Sequence, residues 1–300
     1  MGGLGNQMFQ YAAALRLAMK HHTDLKVDLT FLLDRTPRKN FTYRDFDLVI
    51  FHLPLQAATE HEVRQFRRLV EPGPRSWRGR LADYFSNRRV FLEQGLSFDP
   101  RVLGLPNETY LEGYFQDERY FADIEGLVRE RFCLVPDETA LSPHTRQLAK
   151  TIRDTNAICI HVRRGDYVSN STTSNIHGVC SLDYYKRGLA ELRSRGVDGP
   201  LFIFSDDEAW CRSNFRGKPD VTVVGQEHAG VRASTHLWLM TLCNHFVLAN
   251  SSFSWWAAWL SSGPDKCVVR PMRWFNDPKH EDADICPREW VPLSNTPDLA

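Results

Sequence analysis

Four stretches of this chain carry side chains whose types and spacing could do chemistry. The first is Ala157-Ile-Cys-Ile-His-Val-Arg-Arg-Gly-Asp-Tyr167, where an apolar run delivers a histidine, two arginines and an aspartate. Read as a strand, period two puts Ile158, Ile160 and Val162 on one face and Cys159, His161 and Arg163 on the other. Arg164 faces away from Arg163 unless the chain turns at once, so the two arginines need not share a job. A guanidinium at a strand end suits a diphosphate, because its planar fork makes paired charge-assisted hydrogen bonds to phosphate oxygens. Arg163, beside His161, is the preferred phosphate ligand. The plainer reading is an ion pair, Arg164 with Asp166 for example, that fixes a loop after a core strand.

The second stretch, His245-Phe-Val-Leu-Ala-Asn-Ser-Ser-Phe-Ser-Trp-Trp-Ala-Ala-Trp-Leu260, reads as strand, turn and helix. Exposed amides and the dipole at such a helix start attract anions, and Ser251, Ser252 and Ser254 add hydroxyl donors. The plainer reading is a serine-capped core helix with Trp255, Trp256 and Trp259 buried at helical spacing. In the third, Phe204-Ser-Asp-Asp-Glu208, one of Asp206 and Asp207 caps a helix and the other is available to guanine or ribose. The fourth, Gly2-Gly-Leu-Gly-Asn-Gln7, is glycine-rich but neither a P-loop nor a dinucleotide fingerprint. Its glycines allow close backbone approach to a ligand, and Asn6 and Gln7 could reach sugar hydroxyls. Asp282-Ala-Asp284 has a metal-holding spacing but lies in a polar stretch with no strand before it, so it reads as a solvated loop. No G-x-S-x-G elbow supports serine nucleophile chemistry.

These residues need elements to hold them. Helical spacing of Met8, Phe9, Ala12, Ala13, Leu15 and Leu17 predicts a helix over 6–20, followed by a short strand at 25–28. Residues 33–97 read as loops and short helices, 109–115 as a strand running into a loop, and 118–132 and 145–154 as helices. The second half alternates more clearly. Strands at 157–162, 201–204, 221–224, 246–249 and 267–270 interleave with helices at 181–195, 208–215, 232–243 and 254–260. That pattern predicts an α/β fold, a parallel sheet with helices on both faces and ligands at the carboxyl ends of its strands. The domains divide as 1–150 and 151–300.

Composition sets outer bounds. At 300 residues and 42% hydrophobic, the chain can build two domains of ordinary size or one large α/β domain with insertions. Lys plus Arg and Asp plus Glu balance at 37 each, so global charge predicts no nucleic-acid partner and any anion site is local. The seven scattered cysteines show no C-x-x-C spacing and read as reduced thiols in a cytoplasmic protein. No apolar run approaches the roughly eighteen residues of a membrane span, which leaves at most peripheral contact with the inner membrane face.

Taken together, Gly2-Gly-Leu-Gly-Asn-Gln-Met-Phe-Gln-Tyr11, Leu111-Glu-Gly-Tyr-Phe-Gln-Asp117, His161-Val-Arg-Arg-Gly-Asp166, Phe204-Ser-Asp-Asp207 and Asn250-Ser-Ser-Phe-Ser-Trp-Trp256 resemble the alpha-1,2-fucosyltransferases of glycosyltransferase family 11, especially the bacterial ones. The segments occur in family order from residue 2 to about 275. The resemblance implies a GT-B fold, two Rossmann-like domains facing a cleft, with GDP-fucose on the C-terminal domain and the acceptor mainly against the N-terminal one. It implies inverting transfer of L-fucose to the 2-hydroxyl of a terminal β-galactoside, in surface-glycan or O-antigen synthesis, with no cofactor and no divalent metal.

Carried over by residue, the resemblance makes His161, Arg163 and Arg164 donor-site residues, Asp206 and Asp207 guanosine-side candidates, and Ser251, Ser252 and Phe253 phosphate-side candidates. Gly5, Asn6, Gln7, Gln116 and Asp117 fall on the acceptor or reacting-centre side. Arg163 would neutralise the leaving β-phosphate, with Asn6 at the reacting centre. The base stays open: Asp166 is nearest to the motif, with Asp117 and Glu112 as alternatives. One departure stands out, because family members carry a short apolar strand before the glycine loop and here Met1 leads straight into Gly2. Two other readings compete: a transferase using another nucleotide sugar in the same fold, and a non-catalytic glycan-binding protein.

Overall fold

The alternation in the second half of the chain builds one parallel sheet. In the computed structural model, which describes residues 1–38, 42–67, 69, 89–165, 178–215, 220–230, 232–276 and 285–295, the chain divides into two compact units, Met1–Arg131 and Phe132–Ala300. Both hold α-helices and parallel strands, so the class is α/β, and two units are what the GT-B expectation requires.

In the first unit, helix α1 (Leu4–His21) leads into strand β1 (Lys26–Val27), which pairs in parallel with β2 (Gln56–Ala57). Strand β3 (Arg89–Leu92) pairs in parallel with β4 (Thr109–Glu112). A cavity of about 550 Å³ is walled by Met1 and Tyr11, by Leu25 to Leu29 along β1 and by Thr109 to Gly113 along β4. The single helix expected over 118–132 is broken into turns at Glu118–Tyr120 and Ala122–Ile124 and a helix at Glu125–Arg131. Asp117 is the cause at the start, since its carboxylate accepts the Arg119 N–H and tightens the first turn, and Phe121 at φ −142° then interrupts the spiral.

The second unit opens with helix α2 (Pro143–Arg153), capped by Ser142 through the Thr145 N–H. Its buried Leu148, Ala149 and Ile152, and the Thr145 hydroxyl that donates to the His228 carbonyl, tie it to the second core. That is why the units meet at 131/132, where the sequence placed the change at 150/151. Then follow β5 (Ile158–Val162), α3 (Leu182–Ser194), β6 (Leu201–Ser205), α4 (Glu208–Asn214), β7 (Val221–Val224), α5 (Ala233–Thr241), β8 (His245–Val247), α6 (Ser252–Leu260), β9 (Val268–Pro271) and β10 (Val291–Leu293).

The sheet order is β10-β9-β8-β5-β6-β7, all parallel. All five residues of β5 are buried, as a central strand covered on both faces must be. Ile158, Ile160 and Val162 share one core cluster with Tyr184, Leu192, Ile203 and Val247, the face that period two assigns them. β10 was not expected, being three residues long with Pro292 at its centre. The chain runs outward from β5 through β6 to β7, then returns to place β8 on the other side of β5. That reversal is a topological switch point, and the crevice beyond the carboxyl ends of β5 and β8 is where such sheets bind ligands. All seven cysteines are free thiols, and among the described residues no helix is long and apolar enough to cross a membrane.

Candidate functional site

β5 ends at Val162, so Arg163 and Arg164 lie past the strand, where period two no longer applies. Instead of facing apart, the two arginines converge on the adjacent acids at the end of β6. Arg163 Nη1 lies 3.0 Å from Asp206 Oδ2, and Arg164 Nε 3.1 Å from Asp207 Oδ2. The Arg164 main-chain N–H also donates to Asp206 Oδ1 at 2.8 Å, and its guanidinium carbon sits 4.4 Å from the centre of the Trp210 ring. Asp207 caps α4 by accepting the Trp210 N–H at 3.1 Å. So the expected capping acid is Asp207, which also pairs with Arg164. Asp166 itself lies outside the described residues, as do Asp282 and Asp284.

His161 is the last residue but one of β5, 5% exposed, with its ring 6.1 Å from that of Phe253. Burial pushes its pKa down to about 3; Asp206 pulls the other way, and Arg163 and His236 add to the depression. The imidazole is therefore neutral near pH 7, with one ring nitrogen able to donate and the other able to accept. Among the described residues its Nδ1 is buried without a hydrogen-bond partner. A buried polar atom left unmet is costly.

Across from β5, β8 delivers the start of α6. Ser251 stands at the N-cap position and is 8% exposed, yet no side-chain hydrogen bond caps the helix. The serine-capped reading thus fails in its mechanism. Ser254 is fully buried and its hydroxyl turns back to the carbonyls of Ala249 and Ser251, at 3.4 and 3.1 Å, so it is no ligand donor. Ser252 and Phe253 are half-buried on the first turn. Trp255, Trp256 and Trp259 anchor the helix as their spacing predicted: Trp255 Nε1 donates to the Ile285 carbonyl at 3.0 Å, and Trp256 meets Phe132 edge to face. A nine-residue helix held this firmly directs the positive end of its dipole at the switch point.

In the first unit, Gly2 adopts φ +78°, a left-handed turn, and a Cβ there would lie 2.4 Å from Asn6 Nδ2. α1 then starts at Leu4, which puts Gly5, Asn6 and Gln7 in its first turn. Asn6 Oδ1 accepts from Gln116 Nε2 at 2.7 Å, bringing together two residues expected at the reacting centre. Gln7 is 2% exposed and spent on structure: it donates to the carbonyls of Gly2 and Asp45 at 2.9 and 2.8 Å and accepts the Asp47 N–H at 2.9 Å. Asp117, 4% exposed, is likewise committed to the Arg119 main chain and guanidinium, and that guanidinium lies over the Phe98 ring. Glu112 is exposed at the end of β4. Sequence reasoning missed Glu93, whose carboxylate accepts the Tyr114 and Phe115 N–H groups at 2.6 and 3.0 Å and shapes the loop before Gln116. Burial pushes the Glu93 pKa up against those two hydrogen bonds.

With the geometry in hand, the comparisons are specific. The profile of Glycosyl transferase family 11 matches residues 80–294. The chain is 30% identical to an alpha-1,2-colitosyltransferase of Escherichia coli over 97% of this chain and 96% of that protein. It is 30% identical to the O-antigen biosynthesis glycosyltransferase WbnK of Escherichia coli, over 91% and 93%. A galactoside 2-alpha-L-fucosyltransferase SEC1 of Bos taurus is 34% identical over 42% of this chain and 37% of its own length. Among solved structures, the fucosyltransferase NodZ from Bradyrhizobium has a TM-score of 0.40 at 15% identity, covering 85% of this chain and 89% of that one. A likeness that slight carries no part of the argument.

Proposed function

We propose, from the premise that this chain belongs to glycosyltransferase family 11, that it is an inverting transferase moving L-fucose from GDP-fucose to the 2-hydroxyl of a terminal β-galactoside. The observation that carries the donor reading is the meeting at one switch point of Arg163, a neutral His161 and the start of α6. Each of the three suits a diphosphate, and nothing in their chemistry requires a metal. The family relation and the names of the full-length relatives support a glycan acceptor, with O-antigen assembly as its setting.

As the bond from fucose to the β-phosphate breaks, negative charge grows on the phosphate oxygen. Arg163 and the amides at the start of α6 stabilise it, and His161 offers one hydrogen bond without changing charge. The acceptor hydroxyl attacks the opposite face of the sugar, so a β-linked donor yields an α-linked product. Asp117 is a poor base, being locked to Arg119; Asp166, nearest to the motif, is the acid to test first, with Glu112 as the alternative. A second reading has a specific observation behind it. The full-length likeness to a protein named as a colitosyltransferase favours a donor carrying another sugar on the same diphosphate site.

The test is transfer from GDP-fucose to a β-galactoside in the presence of EDTA. Wild-type protein is expected to turn over, and Arg163→Ala to lose about 10²–10³-fold in kcat. A strict need for Mn²⁺ would contradict the metal-free mechanism, and a fully active Arg163→Ala protein would contradict the site.

A further inference from the structure

We infer that Asp206 is a positioning residue for Arg163 rather than a ligand of the nucleotide, and that Gly165 is the residue that admits it. The inference rests on the donor-site reading above. The Asp206 carboxylate holds both ends of one short turn: Oδ1 accepts the Arg164 main-chain N–H at 2.8 Å, and Oδ2 pairs with Arg163 Nη1 at 3.0 Å. A flexible arginine is thereby tied at its tip to the same group that fixes the backbone next to its root. Its neighbour divides the work. Asp207 caps α4 and holds Arg164, which lies on the Trp210 ring, so the second arginine is secured to one side. Arg163 remains beside His161 at the switch point.

The turn has room for this only because residue 165 has no side chain. A Cβ on Gly165 would lie 2.6 Å from Asp206 Oδ2 and 3.1 Å from its Cγ, so any other residue displaces the carboxylate. Charge argues against a ligand role, since a carboxylate next to a diphosphate repels the bound ground state. Orientation is what it can add. A guanidinium has five N–H donors in a rigid fork, enough to keep Asp206 and still meet a phosphate oxygen. An arginine held in advance of the reaction stabilises the departing phosphate without reorganising.

These roles separate in the full chain bearing Asp206→Asn, Asp206→Ala, Gly165→Ala or the double substitution. GDP and ADP affinities are measured by calorimetry, and kcat and KM with the GDP-sugar that the wild type turns over. We expect Asp206→Asn and Asp206→Ala to bind GDP as tightly as wild type or tighter, with the GDP-over-ADP preference intact. Their kcat should fall by about 10²-fold, the usual cost of a misplaced catalytic group. Gly165→Ala should reproduce that fall in the wild-type background. In the Asp206→Ala background, with no carboxylate to displace, Gly165→Ala should change kcat by less than about threefold.

If Asp206→Asn loses GDP affinity by more than tenfold or abolishes the preference over ADP, Asp206 is a nucleotide ligand and the inference is wrong. Independent, additive effects of Gly165→Ala and Asp206→Ala would also overturn it. A wild-type chain that binds no GDP overturns the donor-site reading itself, an outcome distinct from either.

Discussion

His161 shows how one residue's environment sets its chemistry. Its pKa lies at about 3 in the fold against an ordinary 6.5, with burial as the main cause. Between those two values the unfolded chain binds a proton that the folded chain does not, so this group lowers stability as pH falls from 6.5 toward 3. His161→Gln removes that dependence. The thermal midpoint of the wild type is therefore predicted to fall more steeply than that of His161→Gln between pH 6.5 and 4, and parallel curves would contradict the assignment. The same residue scale explains what the sequence left hidden. Gln7 looked like a sugar-facing group, yet its partners, the Asp45 carbonyl and the Asp47 N–H, are fixed by tertiary packing that no local pattern encodes. Asp206 and Asp207 could be read as a cap and a ligand, but not as the partners of two arginines more than forty positions away in sequence.

At the scale of elements, the strands β5 to β9 were legible because each is a short apolar run ending where polar residues begin, and the helices between them because their apolar spacing is regular. The reading erred where a local interaction overrides periodicity, as at Asp117, or where an element is too short to have a period, as at β10. The first unit carries its own test. Among the described residues β1 pairs only with β2 and β4 only with β3, and the remaining edges of β1 and β4 wall the same cavity that Met1 lines. Parallel ladders of two strands are marginal, and an edge of unpaired N–H and C=O groups accepts another strand. Five apolar, β-branched residues grafted ahead of Met1 are predicted to fill the cavity and raise the melting temperature, by about 2–4 °C for each kcal/mol gained. An unchanged or lowered midpoint would mean that the cavity is no strand slot.

For the molecule as a whole, the division at 131/132 has a functional consequence. Every residue assigned here to the diphosphate, from His161 and Arg163 to Ser251 and Phe253, belongs to the second unit, which also holds a complete six-stranded sheet and its own core. A fragment spanning 132–300 is therefore predicted to fold and to bind GDP within about tenfold of the full chain, while transferring no sugar, because Asn6 and Gln116 lie in the other unit. Calorimetry on the fragment checks this, and a folded fragment with no GDP affinity would contradict the site. The α/β class was legible from the alternation of elements in the second half. The position of the boundary was not, because it depends on which core buries the apolar face of α2.

The most direct test of the central claim is an NMR time course of wild-type protein with GDP-β-L-fucose, a β-galactoside and EDTA. The account predicts a single product with fucose α-linked to the galactose 2-hydroxyl. A β-linked product, a different linkage position, or an unreacted mixture that turns over only when metal is added would contradict it.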